Sequence, residues 1–100
     1  MVKLMALYKR PADVATFERV YFGEHLPLAR KMPGLRRVEI NRVTGAPRGE
    51  TDLFLVASLY FDDADARQQS MASDESRAAA RALRDAGAEV SMILAEVEEM

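Results

Sequence analysis

A chain of 100 residues without cysteine has room for one domain, and it excludes disulfides and thiolate zinc sites. Apolar residues at 49% and charged residues at 30% are typical of a globular protein and argue against disorder. A net charge of −2 gives no electrostatic reason to bind nucleic acid or an anionic membrane. No signal peptide or membrane span is recognised, so we expect a cytoplasmic single domain over residues 1–100.

The first third of the chain predicts a strand followed by an interrupted helix. Residues 2–9 alternate as a strand and carry apolar side chains on both faces. Over residues 14–32, apolar side chains recur at steps of three and four, which is one face of a helix that Asp13 caps. Pro27 lies inside this pattern and crowds the carbonyl of Gly23, so we expect a kink or a break between these two residues.

The remaining elements complete a strand, helix, strand, strand, helix, strand order. The charged side chains of the second strand predict an exposed position. Asp62 or Asp63 is the expected cap of a short helix, and Ser73 is the expected cap of the next one. This order is the split βαβ pattern of an α+β, ferredoxin-like βαββαβ sandwich. The predicted strands cover residues 35–44, 53–61 and 89–97, and the predicted helices run through residue 71 and over residues 74–86.

The apolar side chains on both faces of three strands predict an interface. Helices can cover one face of a four-stranded sheet, so the other face would expose a large apolar patch in a monomer. Two such sheets packed face to face would bury the patch. The pattern therefore predicts a homodimeric α+β barrel, and the alternative is a monomer whose second face is less polar than usual.

His25 is the only histidine, and it lies on the apolar face of the interrupted helix. Histidine can give and take protons near neutral pH, which suits a general acid or base. The alternative is a half-buried core histidine bonded to a backbone carbonyl. Tyr8, Tyr21 and Tyr60 could donate hydrogen bonds to a substrate carbonyl or enolate, although tyrosines at these spacings also pack. Met92 could line an apolar ligand site or fill a gap in the core.

No pattern typical of a metal, nucleotide or redox-cofactor site is present. One histidine without Asp or Glu at ligand spacing does not make a metal site. The chain has no glycine-rich phosphate loop, dinucleotide motif or nucleophile elbow, and its third strand lacks the basic and aromatic signature of RNA-recognition domains. We therefore expect no metal, no bound flavin or nicotinamide, and neither nucleic acid nor a membrane as a partner.

The segment from His25 to Leu35 is more specific than the rest of the chain. Its His-x-Pro-Leu sequence is followed by Pro-Gly-Leu, and this block resembles the EthD family of the dimeric α+β barrel superfamily. The resemblance implies the homodimeric barrel and a functional role for His25, which matches the histidine of the family. Supporting likeness extends over nearly the whole chain, through Tyr60-Phe61-Asp62, Met71-Ala72-Ser73 and Ala88-Glu89-Val90.

The resemblance narrows the function to two main classes. The namesake of the family belongs to a system that degrades a fuel ether, members are often labelled reductases, and superfamily relatives include cofactor-free monooxygenases, lactone isomerases and polyketide cyclases. We therefore expect a small-molecule enzyme without a bound redox cofactor that acts on an apolar, aromatic or polyketide-like metabolite. Its reaction would be that of an oxidoreductase, an isomerase or a cyclase. His25 would be its acid or base. The alternative is a non-catalytic binding or accessory protein for such a metabolite, and a structural dimer without a pocket is a third class.

Overall fold

Four strands form one antiparallel sheet in the order β2-β3-β1-β4 in the computed structural model, which describes residues 1–100. This is the strand order of the ferredoxin-like βαββαβ fold, so the predicted fold class is confirmed. The two central strands are the ones with the most apolar sequences. The strands are β1 (Val2–Lys9), β2 (Arg37–Arg42), β3 (Leu53–Phe61) and β4 (Val90–Glu96).

The helical segments pack on one face of the sheet. Three of them begin where the sequence predicts, because Asp13, Asp63 and Ser73 each accept a hydrogen bond from the backbone N–H three residues ahead. None of the helices is long and apolar enough to cross a membrane. The segments are α1 (Val14–Val20), a π-helical turn (Tyr21–His25), α2 (Leu26–Ala29), α3 (Ala64–Met71), α4 (Asp74–Leu83) and a 3-10 turn (Arg84–Ala86).

The interruption expected near Pro27 is a π-helical turn. The N–H of Leu26 bonds the carbonyl of Tyr21, five residues back, in place of the α-helical bond four residues back. Pro27 therefore falls in the first turn of α2, the part of a helix that tolerates proline best. The α-helix does divide here, but the chain stays helical and carries His25 at the end of the wider turn.

β1 and β3 have the predicted ends, and the ends of β2 and β4 differ from the predicted ones by two residues and one residue. The second strand is shorter than the predicted residues 35–44, although its ladder to β3 extends beyond β2 at both ends. The N–H of Arg36 donates to the carbonyl of Tyr60 at 2.8 Å, and the N–H of Val43 donates to that of Phe54 at 3.0 Å. As predicted from its charges, β2 is an edge strand.

The core lies between the helices and one face of the sheet. Strand pairing places Leu4, Ala6 and Tyr8 of β1 on this face, beside alternate residues of β3 and β4. Phe17 of α1 is fully buried against them, and its ring centroid is 5.6 Å from that of Tyr8. Truncating such an aromatic side chain to alanine typically destabilises a protein by about 3–5 kcal/mol.

The opposite face of the sheet is not covered by helices. Met5 and Leu7 of β1 lie on it, with Val56 of β3 and Ile93 of β4 beside them. Ile93 is 47% exposed, and the neighbouring edge residues of β4 are exposed on both faces of the strand. The apolar second face inferred from the strand pattern is therefore present in the fold.

Candidate functional site

A cavity of about 330 Å³ lies between the sheet and the helices. Sixteen of its 19 lining residues are hydrophobic, and the other three are His25, Ser76 and Arg84. A mostly apolar wall with a few converging polar groups is typical of a small-molecule site, and the volume falls in the range of such sites. The cavity is thus the candidate functional site.

Alanines create the space for the cavity. Ala6 and Ala57 are paired neighbours in the centre of the sheet and form the floor. The buried Ala79 of α4 faces them from the opposite side, and the exposed Ala80 lines the rim. Side chains of ordinary core size at these positions would fill the space, because protein interiors pack closely. The cavity therefore follows from small residues at positions that the helix and strand periods direct inward.

His25 is held in one orientation by the backbone of α4. Its Nδ1 lies 2.7 Å from the carbonyl oxygen of Ala79. A carbonyl can only accept a hydrogen bond, so Nδ1 carries the proton and donates. In the neutral ring, Nε2 is then an acceptor, and no other group of the chain bonds to it. His25 is half-buried and bonded to a carbonyl, as the structural interpretation expects, and it also lines the cavity, where its role as an acid or base stays a prediction.

The surroundings of His25 favour its neutral form. Burial lowers the pKa of the His25 imidazole, and the hydrogen bond to Ala79 opposes this effect only in part. The ring of Tyr21 packs against the imidazole at 5.0 Å between centroids. At neutral pH the imidazole is therefore an uncharged base with its free nitrogen available to a proton donor.

Tyr8 and Tyr21 place two hydroxyl groups in the same cavity. Their ring centroids are 5.4 Å apart, and the side chains are 2% and 1% exposed. Neither hydroxyl bonds to another group of the chain. The hydroxyl of Ser70 is the only side-chain oxygen that is fully enclosed and has no partner, so the two tyrosine hydroxyls are not fully enclosed. Burial raises the pKa of Tyr8 to about 12 and raises that of Tyr21 as well. Both hydroxyls therefore remain protonated and can donate to a ligand.

Comparison with known proteins decides the family. The family model for the EthD domain matches residues 9–87, which is most of the chain. The chain belongs to the EthD family. The resemblance seen around His25 is thereby confirmed.

Known structures and relatives agree with this assignment. A solved EthD family protein of Bacillus halodurans is 39% identical to this EthD chain, with a TM-score of 0.91, covering 98% of this chain and 99% of that one. An 11.0 kDa protein of the thcB–thcC intergenic region of Rhodococcus erythropolis is 28% identical over 99 residues, 98% of this chain and 96% of that protein.

Two more distant structures share the fold of this EthD domain. SnoaB of Streptomyces nogalater, described as a cofactor-independent oxygenase, is 22% identical with a TM-score of 0.73, covering 99% of this chain and 94% of its own. A Thermobifida fusca protein described as dimeric and ferredoxin-like is 15% identical with a TM-score of 0.72, covering 96% of this chain and 90% of its own. At these identities the likeness concerns the fold alone.

Tyr60 does not lie in the cavity of this EthD domain. The β1–β3 register pairs it with Lys3, on the face of the sheet away from the helices. The cations of Lys3 and Arg37 lie 5.5 and 4.9 Å from the centroid of its ring, and its hydroxyl is 3.5 Å from a carboxylate oxygen of Glu39. The predicted set of site residues required Tyr60 to lie near His25, and the structure places the two on opposite sides of the sheet.

Met92 lies at the mouth of the cavity. It lines the space but is 58% exposed. The alternative expectation, that Met92 fills a gap in the core, is therefore wrong. Val90 lines the same edge and is 45% exposed. These two side chains of β4 show that the cavity opens along this edge strand.

Residues of α4 were missed in the sequence interpretation of the site. Ser76, Ala79, Ala80 and Leu83 follow one another at helical spacing and form one wall, which Arg84 continues. The run of alanines in α4 could have indicated this wall. An amphipathic helix usually has larger apolar residues on the side that faces the core, and alanines there leave space. No group of three or more His, Cys, Asp or Glu side chains comes together anywhere in the EthD domain, so its residues offer no ligand set for a metal ion.

Proposed function

We propose that this EthD protein is an enzyme that moves a proton on a small apolar or aromatic molecule, without a bound redox cofactor, and that His25 is its general base. The observation that carries the proposal is that His25 lines an apolar cavity with its Nδ1 anchored to Ala79 and its Nε2 without a partner in the chain. This arrangement fixes both the tautomer and the direction of the base. General base catalysis of this kind typically contributes about a hundredfold to ten-thousandfold in rate.

The chemistry follows from the groups around the base. Nε2 of His25 would take a proton from a carbon or hydroxyl next to a carbonyl group, which leaves an enolate or phenolate. The hydroxyls of Tyr8 and Tyr21 would donate hydrogen bonds to its oxygen, and a site with little water strengthens these bonds. The imidazolium keeps its Nδ1 bond to Ala79. Return of the proton to another carbon completes an isomerisation. In a cyclisation the enolate carbon would attack the carbon of a second carbonyl group of the same ligand, and the oxygen of that carbonyl, left as an alkoxide, would take the proton back from His25. SnoaB, which shares the fold, is described as a cofactor-independent oxygenase, which agrees with chemistry without a bound cofactor.

We infer that the protein works as a homodimer with its two sheets packed face to face. Support comes from the apolar side chains of Met5, Leu7, Val56 and Ile93 on the uncovered face, which a partner would remove from water. Neighbours of the same fold are described as dimeric, which agrees with this arrangement. Tyr60 lies on this face and would then belong to the interface.

A non-catalytic carrier is the second candidate function. It is favoured by the predominance of hydrophobic residues in the cavity, since an apolar wall can hold a metabolite without changing it. A carrier would need no partner-free base, so the two candidates differ in what the removal of His25 changes.

Proton exchange tests the proposal without knowledge of the natural substrate. 2-Tetralone, an apolar ketone with acidic protons beside its carbonyl, would be incubated in deuterated buffer, and loss of its proton signals would be followed by NMR. We expect the wild-type protein to accelerate exchange, His25→Gln to lose at least about a hundredfold of that acceleration, and Tyr60→Phe to behave as wild type. Binding of the ketone to both wild type and His25→Gln without accelerated exchange would favour the carrier.

A further inference from the structure

Arg84 stands out among the cavity residues because of its charge. It directly follows α4, and no other arginine, lysine or acidic residue lines the cavity. Arg84 makes no ion pair and no side-chain hydrogen bond within the chain. The arginines that do pair with a carboxylate elsewhere in the structure are Arg36, Arg37, Arg42 and Arg77.

The position of Arg84 relative to His25 is set by α4. The imidazole is anchored at Ala79, and Arg84 comes five residues later at the mouth of the cavity. A helix rises 1.5 Å per residue, so the backbones of Ala79 and Arg84 are about 7.5 Å apart along its axis. Because His25 and Arg84 line the same cavity, a ligand with a polar group at each end of a two-ring frame can contact both side chains.

We propose that Arg84 binds the anionic group of the ligand, and that the cavity takes an aromatic or other apolar molecule carrying one carboxylate. The proposal rests on the proposed function only in requiring that this cavity is the ligand site. The forked donors of a guanidinium match the two oxygens of a carboxylate. Because the cavity lining holds no other charged side chain at neutral pH, a second charge on the ligand would be buried without a partner.

The place of Arg84 at the mouth fits this role. Arg84 lines the cavity and is itself exposed, so a carboxylate bound to it keeps contact with water. Full burial of an ion pair carries a large desolvation penalty, and a site at the mouth avoids most of it. The apolar part of the ligand then lies deeper, against the alanines and the two tyrosines.

Arg81 is a matched control for Arg84. A basic residue in the last turn of a helix is also favoured by the helix dipole, which by itself would account for an arginine here. Arg81 lies in this last turn of α4, is exposed and forms no ion pair, but it does not line the cavity. If Arg84 only stabilises the helix through the dipole, replacement of either arginine should have the same effect. If Arg84 binds the ligand, only replacement of Arg84 should weaken binding.

The test uses two probes of nearly the same shape, 2-naphthoate and the neutral 2-acetylnaphthalene, titrated calorimetrically into wild type, Arg84→Gln and Arg81→Gln. We expect wild type to bind the carboxylate about tenfold more tightly than the ketone. Arg84→Gln should lose this preference by weakening naphthoate binding alone, and Arg81→Gln should match wild type. Melting curves of the three proteins, expected to coincide, check that each is folded.

Three results would overturn the proposal. In the first, wild type binds both probes equally. In the second, Arg84→Gln weakens the binding of both probes by the same factor. Either result would mean that Arg84 does not select an anion, while the cavity remains the ligand site. If neither probe bound to wild type, the cavity itself would be wrong as the ligand site, and the proposed function would fail with it.

Discussion

The imidazole of His25 and the backbone carbonyl of Ala79 are joined by a hydrogen bond of 2.7 Å. The bond connects the π-helical turn to α4, and its two residues are 54 positions apart in the sequence. It fixes the proton on Nδ1 and leaves Nε2 without a partner, so a packing contact between helices also determines which nitrogen can act on a ligand.

The first prediction concerns the pH dependence of stability. Burial lowers the pKa of His25 below its ordinary value of 6.5, so the unfolded chain binds this proton more tightly than the folded one. The contribution of His25 to the unfolding free energy is therefore complete above about pH 6.5 and declines as the pH falls toward the folded pKa. Relative to His25→Gln, wild type should lose stability between pH 7.5 and pH 5 in urea titrations.

The single histidine allows a direct check of this sign. Its imidazole signals need no assignment, and NMR titration of the folded protein should give a pKa below 6.5 with the proton on Nδ1. A pKa at or above 6.5, or a stability difference from His25→Gln that does not vary with pH, would contradict the burial argument.

The second prediction narrows the entrance of the cavity. Ala80 is an exposed alanine at the rim, so Ala80→Leu adds three carbon atoms there, and we expect binding of 2-acetylnaphthalene to weaken severalfold while the melting temperature stays the same. Ala82→Leu, in the same helix but outside the cavity lining, is the control and should leave binding unchanged. Equal binding by both variants would mean that the probe does not occupy this space.

The third prediction separates the three tyrosines. The hydroxyls of Tyr8 and Tyr21 bond to nothing within the chain, so Tyr8→Phe and Tyr21→Phe should leave the unfolding free energy within about 1 kcal/mol of wild type. Each should slow the accelerated exchange of 2-tetralone by about tenfold, because a donor to the enolate is lost. Tyr60→Phe should have no such effect, and a loss of stability without a change in rate would show a structural role instead.

The fourth prediction concerns assembly. Ile93 lies on the uncovered face of the sheet, so Ile93→Glu should place a charge in the proposed interface and shift sedimentation from dimer to monomer. Gln69→Glu adds the same charge at an exposed position of α3 and should sediment as wild type. Dimers of unchanged stability in Ile93→Glu would rule out the face-to-face arrangement.

Local signals account for the parts of the fold that could be predicted. Asp63 and Ser73 start their helices as predicted because an N-cap depends only on its own side chain and the next three residues. The third strand, Leu53–Phe61, has the predicted bounds because aspartates flank its apolar run on both sides. The type and the ends of these elements could therefore be predicted from a few neighbouring residues.

The site could be predicted only in part because it depends on pairing between distant segments. Tyr8 and Tyr60 both lie on strands with apolar side chains on both faces, so the alternation could not show which face the helices cover. The pairing of β1 with β3 puts Tyr60 beside Lys3 and Tyr8 beside Leu55, which lie on opposite faces of the sheet. Likewise Pro27 signals a lost backbone bond, but the π-helical turn depends on how Leu26 packs into the core.

The π-helical turn makes the length of the His25 segment matter more than its exposed side chains. Each residue of a helix advances the chain by about 100°, and the π-helical turn already holds one residue more than an α-helical turn, so one further residue between Tyr21 and His25 would rotate α2 and its buried Leu26 and Ala29 away from the sheet. Gly23 and Glu24 are exposed, and a Cβ on Gly23 would meet no atom within 4 Å. Natural variation in this segment should therefore consist of substitutions at these two positions, and insertions of a residue should be selected against.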